Sequence, residues 1–150
     1  PWDGRSPHPA AKTGQTARAS TTTAVADPDL ACEVVAGATY ILEAGILYDS
    51  TTVADFRVGL DVPSGSSFIL AVDAPEPGTA GVGNTAVTRR AVTAGNVAIG
   101  GTGSRTIAFL GGTVTAGDSG DVAVRWSQNT AEATDSKMDV GSWLKLTRVA

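Results

Sequence analysis

The chain has 150 residues, 18 of them Gly, and its 11 Lys and Arg against 15 Asp and Glu give a net charge of −4. This length suits one domain of ordinary size, and the scattered acidic residues disfavour nucleic acid as a partner. No apolar run approaches the ~20 residues that span a bilayer, and the first residues lack the apolar core of a signal peptide, so we expect a soluble protein with no membrane partner.

Residues 1–29 differ in composition from the rest of the chain. Four prolines interrupt them, and large apolar residues are almost absent apart from Trp2 and Val25. Such a segment cannot build a core alone, so it must lie on another surface if it is ordered. We predict an extended N-terminal arm that binds a neighbouring protein, with Trp2 and Arg5 as candidate contact residues. A terminus without fixed structure is the alternative.

From Leu30 onward, short β segments alternate with turn signals, and no helix is predicted. In residues 39–49, alternation places five residues on one face: Tyr40, Leu42, Ala44, Ile46 and Tyr48. Residues 73–84 form a loop, because two prolines and several glycines forbid a regular element. The other predicted strands are residues 30–35, 51–62, 67–72, 85–92, 96–99, 105–114, 121–128, 136–140 and 142–149.

This number of strands predicts an all-β fold, a two-sheet antiparallel jelly-roll sandwich over residues 30–150 that follows the arm. An immunoglobulin-like sandwich is the alternative, but the chain lacks the cysteine pair and the tryptophan placement of that family. Cys32 is the single cysteine, which excludes an internal disulfide, and its apolar strand context indicates a small buried side chain.

No residue pattern points to an enzyme. His8 is the single histidine and lies in the proline-rich arm, where neither a catalytic triad nor an imidazole-bound metal is expected. Acidic residues on or beside strands suggest no particular catalytic pair for glycoside hydrolysis, and these are Glu33, Glu43, Asp55, Asp61 and Asp73. The glycine-rich segments match no phosphate-binding loop. We expect no catalytic residues, no cofactor and no metal.

The two tryptophans near the C-terminus differ in their predicted environment. Trp126 shares a face with Val122 and Val124, which predicts a core position. Trp143 shares a face with Lys145, opposite Leu144 and Leu146. We therefore predict that Leu144 and Leu146 point inward, whereas Trp143 and Lys145 contact a partner.

The C-terminal run "VAVRWSQNTAEATDSKMDVGSWLKLTRVA" resembles small jelly-roll domains in virion proteins of tailed bacteriophages, especially those of actinobacteria. The resemblance rests on the Trp126-Ser127-Gln128 strand end, the connection Asn129 to Asp135, and Gly141-Ser142-Trp143-Leu144. Upstream, it continues in the pattern of Gly37, Tyr40, Glu43, Tyr48, Asp55, Phe56, Pro63 and Gly65. It covers about residues 30–150.

This resemblance implies a jelly roll of the tumour-necrosis-factor and complement type that assembles as a homotrimer. It implies a non-enzymatic capsid decoration or cement protein, which binds the phage major capsid protein on the outer surface of the virion and is found in the host cytoplasm during assembly. The alternative is a tail or head-fibre module that binds a host receptor or surface glycan. That alternative predicts an exposed aromatic, with Trp143 or Tyr48 as candidates, and a ligand-binding loop at residues 73–84.

Overall fold

The computed structural model describes residues 8–78 and 87–150. Within them the chain forms strands and no helix, and hence no helix that could span a membrane. The strands are β1 (His8–Ala11), β2 (Thr16–Arg18), β3 (Val25–Val34), β4 (Thr39–Asp49), β5 (Phe56–Asp61), β6 (Ser67–Pro75), β7 (Val87–Val92), β8 (Asn96–Ile99), β9 (Thr106–Thr115), β10 (Gly120–Gln128), β11 (Ser136–Met138) and β12 (Trp143–Arg148).

These strands form two antiparallel sheets that pack face to face. The large sheet has the order β1-β12-β4-β9-β6-β7, with β11 paired to β4 and β2 paired to β11. The small sheet has the order β3-β10-β5-β8. Side chains from both sheets meet in one core, which confirms the predicted all-β sandwich.

The connectivity of eight of these strands is that of a jelly roll. These are the strands that remain when β2, β6, β7 and β11 are set aside. If they are numbered 1 to 8 along the chain, the strand order is 1-8-3-6 in the large sheet and 2-7-4-5 in the small sheet, which is the jelly-roll order. The strands β6 and β7, which lie between β5 and β8 in the sequence, extend the large sheet beyond β9.

The core forms as the alternation of strands predicts. All five residues predicted for the inner face of β4 are buried, and Leu144 and Leu146 of β12 are fully buried as well. Each such aliphatic side chain contributes about 1.5–3 kcal/mol to folding. Trp126 lies at the centre, stacked on Phe56 with ring centroids 5.0 Å apart, so its predicted core position is confirmed.

Cys32 is buried on the inner face of β3, as its sequence context predicted. Burial raises the pKa of its thiol to about 11. The thiolate is therefore scarce at neutral pH, and the side chain acts as a small apolar group in the core.

The described part of residues 1–29 lies within the sandwich instead of extending away from it. β1 pairs with β12, β2 pairs with β11, and β3 runs from Val25 through the predicted boundary between residues 29 and 30. β1 is the first strand of the jelly roll. The composition of this segment does not indicate a strand. An edge strand is held by backbone hydrogen bonds and tolerates a residue such as Pro9, so it needs few large apolar side chains.

A buried ion pair fixes this N-terminal segment to the core. Lys12 Nζ lies 2.9 Å from Asp27 Oδ1, and both side chains are fully buried. The indole N–H of Trp126 donates to Asp27 Oδ2 at 3.0 Å. Charges leave water only when they are paired and hydrogen-bonded, so these contacts tie the segment after β1 to the small sheet.

Candidate interaction surface

The outer face of the large sheet is built from the residues that alternate with the core positions. The strand register aligns these residues in rows across β12, β4, β9 and β6. One row contains Trp143, Gly45, Phe109 and Asp73. The adjacent row contains Lys145, Glu43, Gly111 and Ala71. The two predicted partner residues, Trp143 and Lys145, therefore lie on this face.

Large apolar side chains are exposed on this face, and we call the group the apolar patch. Its members are Ile41 at 42%, Ile69 at 51%, Ile107 at 38%, Phe109 at 54% and Trp143 at 37% exposure. Strand spacing of ~4.8 Å and a rise of ~3.4 Å per residue make the patch ~14 Å by ~20 Å. The enclosed area of ~280 Å² is close to that of the largest apolar patch on a typical monomer, about 300–600 Å², and such patches are often functional.

The indole of Trp143 lies across Gly45 of the neighbouring strand. A Cβ atom placed on Gly45 would come within 2.6 Å of Trp143 Nε1, so any other residue at position 45 would displace the ring. The tryptophan thereby covers the gap that glycine leaves in the sheet surface. Its orientation is set within the monomer, although more than a third of the residue stays exposed.

Lys145 forms an ion pair with Glu43, its direct cross-strand neighbour. Lys145 Nζ lies 2.7 Å from Glu43 Oε2, and both side chains are partly exposed. Such an exposed pair contributes about 0.2–1 kcal/mol. The charge of Lys145 is thus balanced within the chain, and the pair lies within the apolar patch, between the row of Trp143 and Phe109 and the row of Ile41 and Ile69.

A shallow groove runs beside Phe109, with a volume of about 760 Å³. Small residues line it because Ala71, Ala91 and Gly111 occupy neighbouring outward positions. One side carries Asp73 and Arg89, which form an exposed ion pair at 3.5 Å. The groove suits an apolar side chain with a polar group next to it.

The outer face of the small sheet has a different chemistry. Arg125 donates to Asp61 Oδ1 at 3.1 Å and to Asn96 Oδ1 at 2.8 Å. These side chains cross Gly59, where a Cβ atom would lie 2.3 Å from Asn96 Oδ1. Arg57 extends the polar network along this face. Charged and amide side chains that are hydrogen-bonded to each other therefore make this face polar.

The remaining predicted contact residues fall elsewhere. Trp2 and Arg5 lie outside the described residues, as do residues 79–84 of the predicted loop. The start of that loop was wrongly predicted, because residues 73–75 continue β6 and pair with β7. Tyr48, an alternative ligand-stacking residue, is fully buried, and its hydroxyl donates to the Gly100 carbonyl at 2.6 Å. The prediction that Tyr48 is exposed is wrong, because it occupies an inward position of β4. Burial raises the pKa of its hydroxyl.

Residues that carry the sequence resemblance hold the fold together. The Gln128 side chain donates to the Thr134 carbonyl at 2.8 Å and accepts the Glu132 N–H at 3.0 Å, which fixes the connection between β10 and β11. Asp55 adopts a φ of 50° and accepts the Gly101 N–H at 2.9 Å. These residues of the pattern therefore have structural roles in this chain.

Sequence reasoning missed most of the apolar patch. Ile41, Ile107 and Phe109 stand at outward positions of their strands, where polar residues are the common choice. The sequence does show apolar residues at the strand positions that alternate with the predicted core residues. Assigning that face required the pairing of β4, β9 and β6, which propensity does not supply.

No protein-family model and no curated protein matches the chain. Among solved structures, the chain is similar to the VP2 subviral particle of infectious bursal disease virus, with 13% identity, a TM-score of 0.22, and coverage of 96% of this chain and 37% of the viral one. For the Gx strain of that virus, identity is 13%, the TM-score 0.21, and coverage 97% and 43%. The chain spans less than half the length of these viral chains.

Proposed function

We propose that this chain is a non-enzymatic structural protein of a bacteriophage virion, which forms homotrimers on the outer capsid surface and stabilises the junctions between capsomers. Two observations support the proposal. The residue pattern of the C-terminal half resembles that of phage virion jelly rolls, and the outer face of the large sheet carries an exposed apolar patch.

The apolar patch is the observation that carries the proposal. Phe109 is 54% exposed, and the groove beside it is lined by small residues. Transfer of apolar surface out of water contributes about 25 cal/mol per Å². A second copy of the chain is the proposed occupant, so the three subunits of a trimer would meet through this face.

The proposed capsid contacts come from the N-terminal end. Trp2 and Arg5 precede β1, which lies at the edge of the large sheet next to β12. We assign these two residues to the major capsid protein and the apolar patch to the trimer. The virion exterior, after assembly in the host cytoplasm, is the corresponding location, with no role for nucleic acid or membrane.

The experiment that tests this function separates the two contacts. We expect the purified chain to sediment as a trimer and to cosediment with capsids that lack it. Deletion of residues 2–7 leaves β1 intact, so the trimer should persist while capsid binding is lost. A monomeric chain, or a truncated chain that binds capsids as well as the full one, would contradict the proposal. Deletion of residues 2–29 is not a clean test, because it removes β1, β2 and part of β3.

The second candidate function is glycan binding by a tail or head-fibre module. Two exposed aromatics, Trp143 and Phe109, lie in one row of the large sheet with Asp73 at its end. Aromatic faces beside polar groups are suited to stacking on sugars. Binding of the isolated chain to a glycan array or to host cells, abolished by Phe109→Ala, would favour this function over the capsid role.

A further inference from the structure

In the buried contact between Lys12 and Asp27, the lysine nitrogen contacts both oxygens of the carboxylate. Lys12 Nζ lies 2.9 Å and 3.0 Å from the two carboxylate oxygens of Asp27. Nearly equal distances place the nitrogen between the two oxygens, next to the carboxyl group whose carbon, Cγ, an amine attacks. Both side chains are fully buried, so bulk water is excluded from the pair.

Further contacts hold the amine in place. Lys12 Nζ donates to Thr16 Oγ1 at 2.8 Å, and the Lys12 backbone N–H donates to the Ser142 carbonyl at 2.9 Å. The lysine is thus fixed at both ends before any reaction. Positioning of this kind removes much of the entropic cost of joining two groups.

Two further donors polarise the Asp27 carboxyl group. The indole N–H of Trp126 donates to Oδ2 at 3.0 Å, and the backbone N–H of Asp29 donates to Oδ1 at 3.0 Å. Fixed donors at these oxygens stabilise the negative charge that develops when a nucleophile adds to Cγ.

A second carboxylate is placed to move the proton. Asp29 Oδ2 lies 3.3 Å from Lys12 Nζ, and its side chain is 29% exposed. It can accept a proton from the attacking nitrogen and transfer one to the departing oxygen. A general base lies ~2.6–3.2 Å from the proton donor, so Asp29 has to approach Lys12 by only about 0.1 Å for the transfer.

We propose that Lys12 and Asp27 condense to form an intramolecular isopeptide bond. The Nζ–Cγ bond forms, one Cγ–O bond breaks, and that oxygen leaves as water with two protons from the lysine ammonium group. Asp29 first takes one proton from the ammonium group, which frees the nitrogen lone pair for attack, and passes it to the departing oxygen. The second proton moves from the nitrogen to that oxygen after the Nζ–Cγ bond has formed, and Asp29 is regenerated. No oxidant or other reactant is required, because an ammonium and a carboxylate supply every atom of the amide and the water.

The bond would join the two sheets covalently. Lys12 follows β1 of the large sheet, whereas Asp27 lies in β3 of the small sheet. An edge strand such as β1 is the part of a sandwich that detaches most easily. The crosslink would prevent that detachment by closing the chain between residues 12 and 27.

Intact mass of the folded chain under denaturing conditions is the primary test. We expect a mass below that of the sequence by one water. Trypsin should release residues 6–18 joined to residues 19–57, because a crosslinked Lys12 is not cleaved and the next tryptic site after Arg18 is Arg57. A wild-type chain with the full sequence mass after prolonged incubation in the folded state would overturn the proposal.

Lys12→Arg is the matched control for water lost elsewhere. The Asp3-Gly4 sequence can also lose water by forming a succinimide, whereas Asp27 cannot react in this way because Pro28 has no backbone N–H. Lys12→Arg keeps the positive charge and Asp3, so we expect the full sequence mass. Persistence of the deficit in this variant would place the dehydration away from Lys12.

Two further variants test the chemistry. Asp27→Asn should lose ammonia instead of water, so its final mass and its branched tryptic peptide should be identical to those of the wild type. Asp29→Asn has the same size as the wild type but cannot accept the proton, so we expect the unreacted mass. An Asp29→Asn chain that crosslinks at the wild-type rate would contradict the assignment of proton transfer to Asp29.

Discussion

The two outer faces of this sandwich follow the same alternation but carry opposite chemistry. On the large sheet, Phe109 is 54% exposed next to a groove lined by small residues. On the small sheet, Arg125 is held by Asp61 and Asn96 in a polar network. The inward positions of both sheets must be apolar for the chain to fold, whereas the outward positions are free to vary. The outward residues therefore carry the information about partners.

The largest expected effect comes from placing a charge in the apolar patch. Phe109→Asp would bury an unpaired carboxylate at the proposed interface, which costs several kcal/mol, so we expect monomers. The measurement is the mass by sedimentation equilibrium, with circular dichroism to show that the sandwich is intact.

The matched control is Ala98→Asp on the small sheet. Ala98 also occupies an outward strand position, opposite Arg57 in the neighbouring strand, so the same change should leave the oligomer unaltered. If the Phe109→Asp chain stays trimeric, the outer face of the large sheet contributes no more to trimer formation than that of the small sheet.

Trp143→Ala should have a smaller effect on the same face. The indole covers Gly45 within the monomer, so its loss should cost about 1 kcal/mol of folding free energy. We expect the trimer to be weakened more than the monomer, seen as dissociation of the trimer at a higher protein concentration in sedimentation equilibrium. Trp143→Phe retains an aromatic ring and serves as the control. If the mass of the trimer is unchanged, Trp143 covers Gly45 within the monomer and does not contribute to the subunit interface.

The Glu43–Lys145 pair should have a smaller effect again. Lys145→Glu places like charges directly opposite each other, which destabilises the sheet by about 0.2–1 kcal/mol. The double variant Glu43→Lys with Lys145→Glu restores an opposite-charge pair, so we expect it to recover the wild-type free energy of unfolding. If the double variant is no more stable than Lys145→Glu alone, the pair contributes through contacts other than its charge.

Sequence alone predicts the inner layer of this fold well and the outer layer poorly. Tyr40 to Tyr48 of β4 and Trp126 of β10 follow a period of two, which burial enforces. β1 and β2 were not predicted, because their four and three residues are held mainly by partner strands. Phe109 could not be assigned to an exposed patch without the strand order, and that order depends on contacts distant in sequence.

The pairing of Lys12 with Asp27 was beyond sequence reasoning for a related reason. Both residues lie in a polar segment whose composition indicates an exposed arm. Their burial depends on a fold in which β1 lies on one sheet and β3 on the other. A buried charge is stable only when its partner is in place, so the burial of Lys12 or Asp27 cannot be predicted from either residue without the other.

Asp55 provides the smallest predicted effect and a test of pH that involves neither outer face. Burial raises the pKa of its carboxyl group, so the native state binds that proton more readily than the unfolded state does. Its contribution to stability is therefore fully present below the unfolded pKa and is lost as the pH rises through the folded pKa. Asp55→Asn has no such dependence, and Asn tolerates the φ of 50° at this position. We measure the free energy of unfolding of both chains in urea from about pH 3 to about pH 7. The value for the variant minus the value for the wild type should increase as the pH rises. A constant difference across this range would show that Asp55 titrates alike in the folded and unfolded chains.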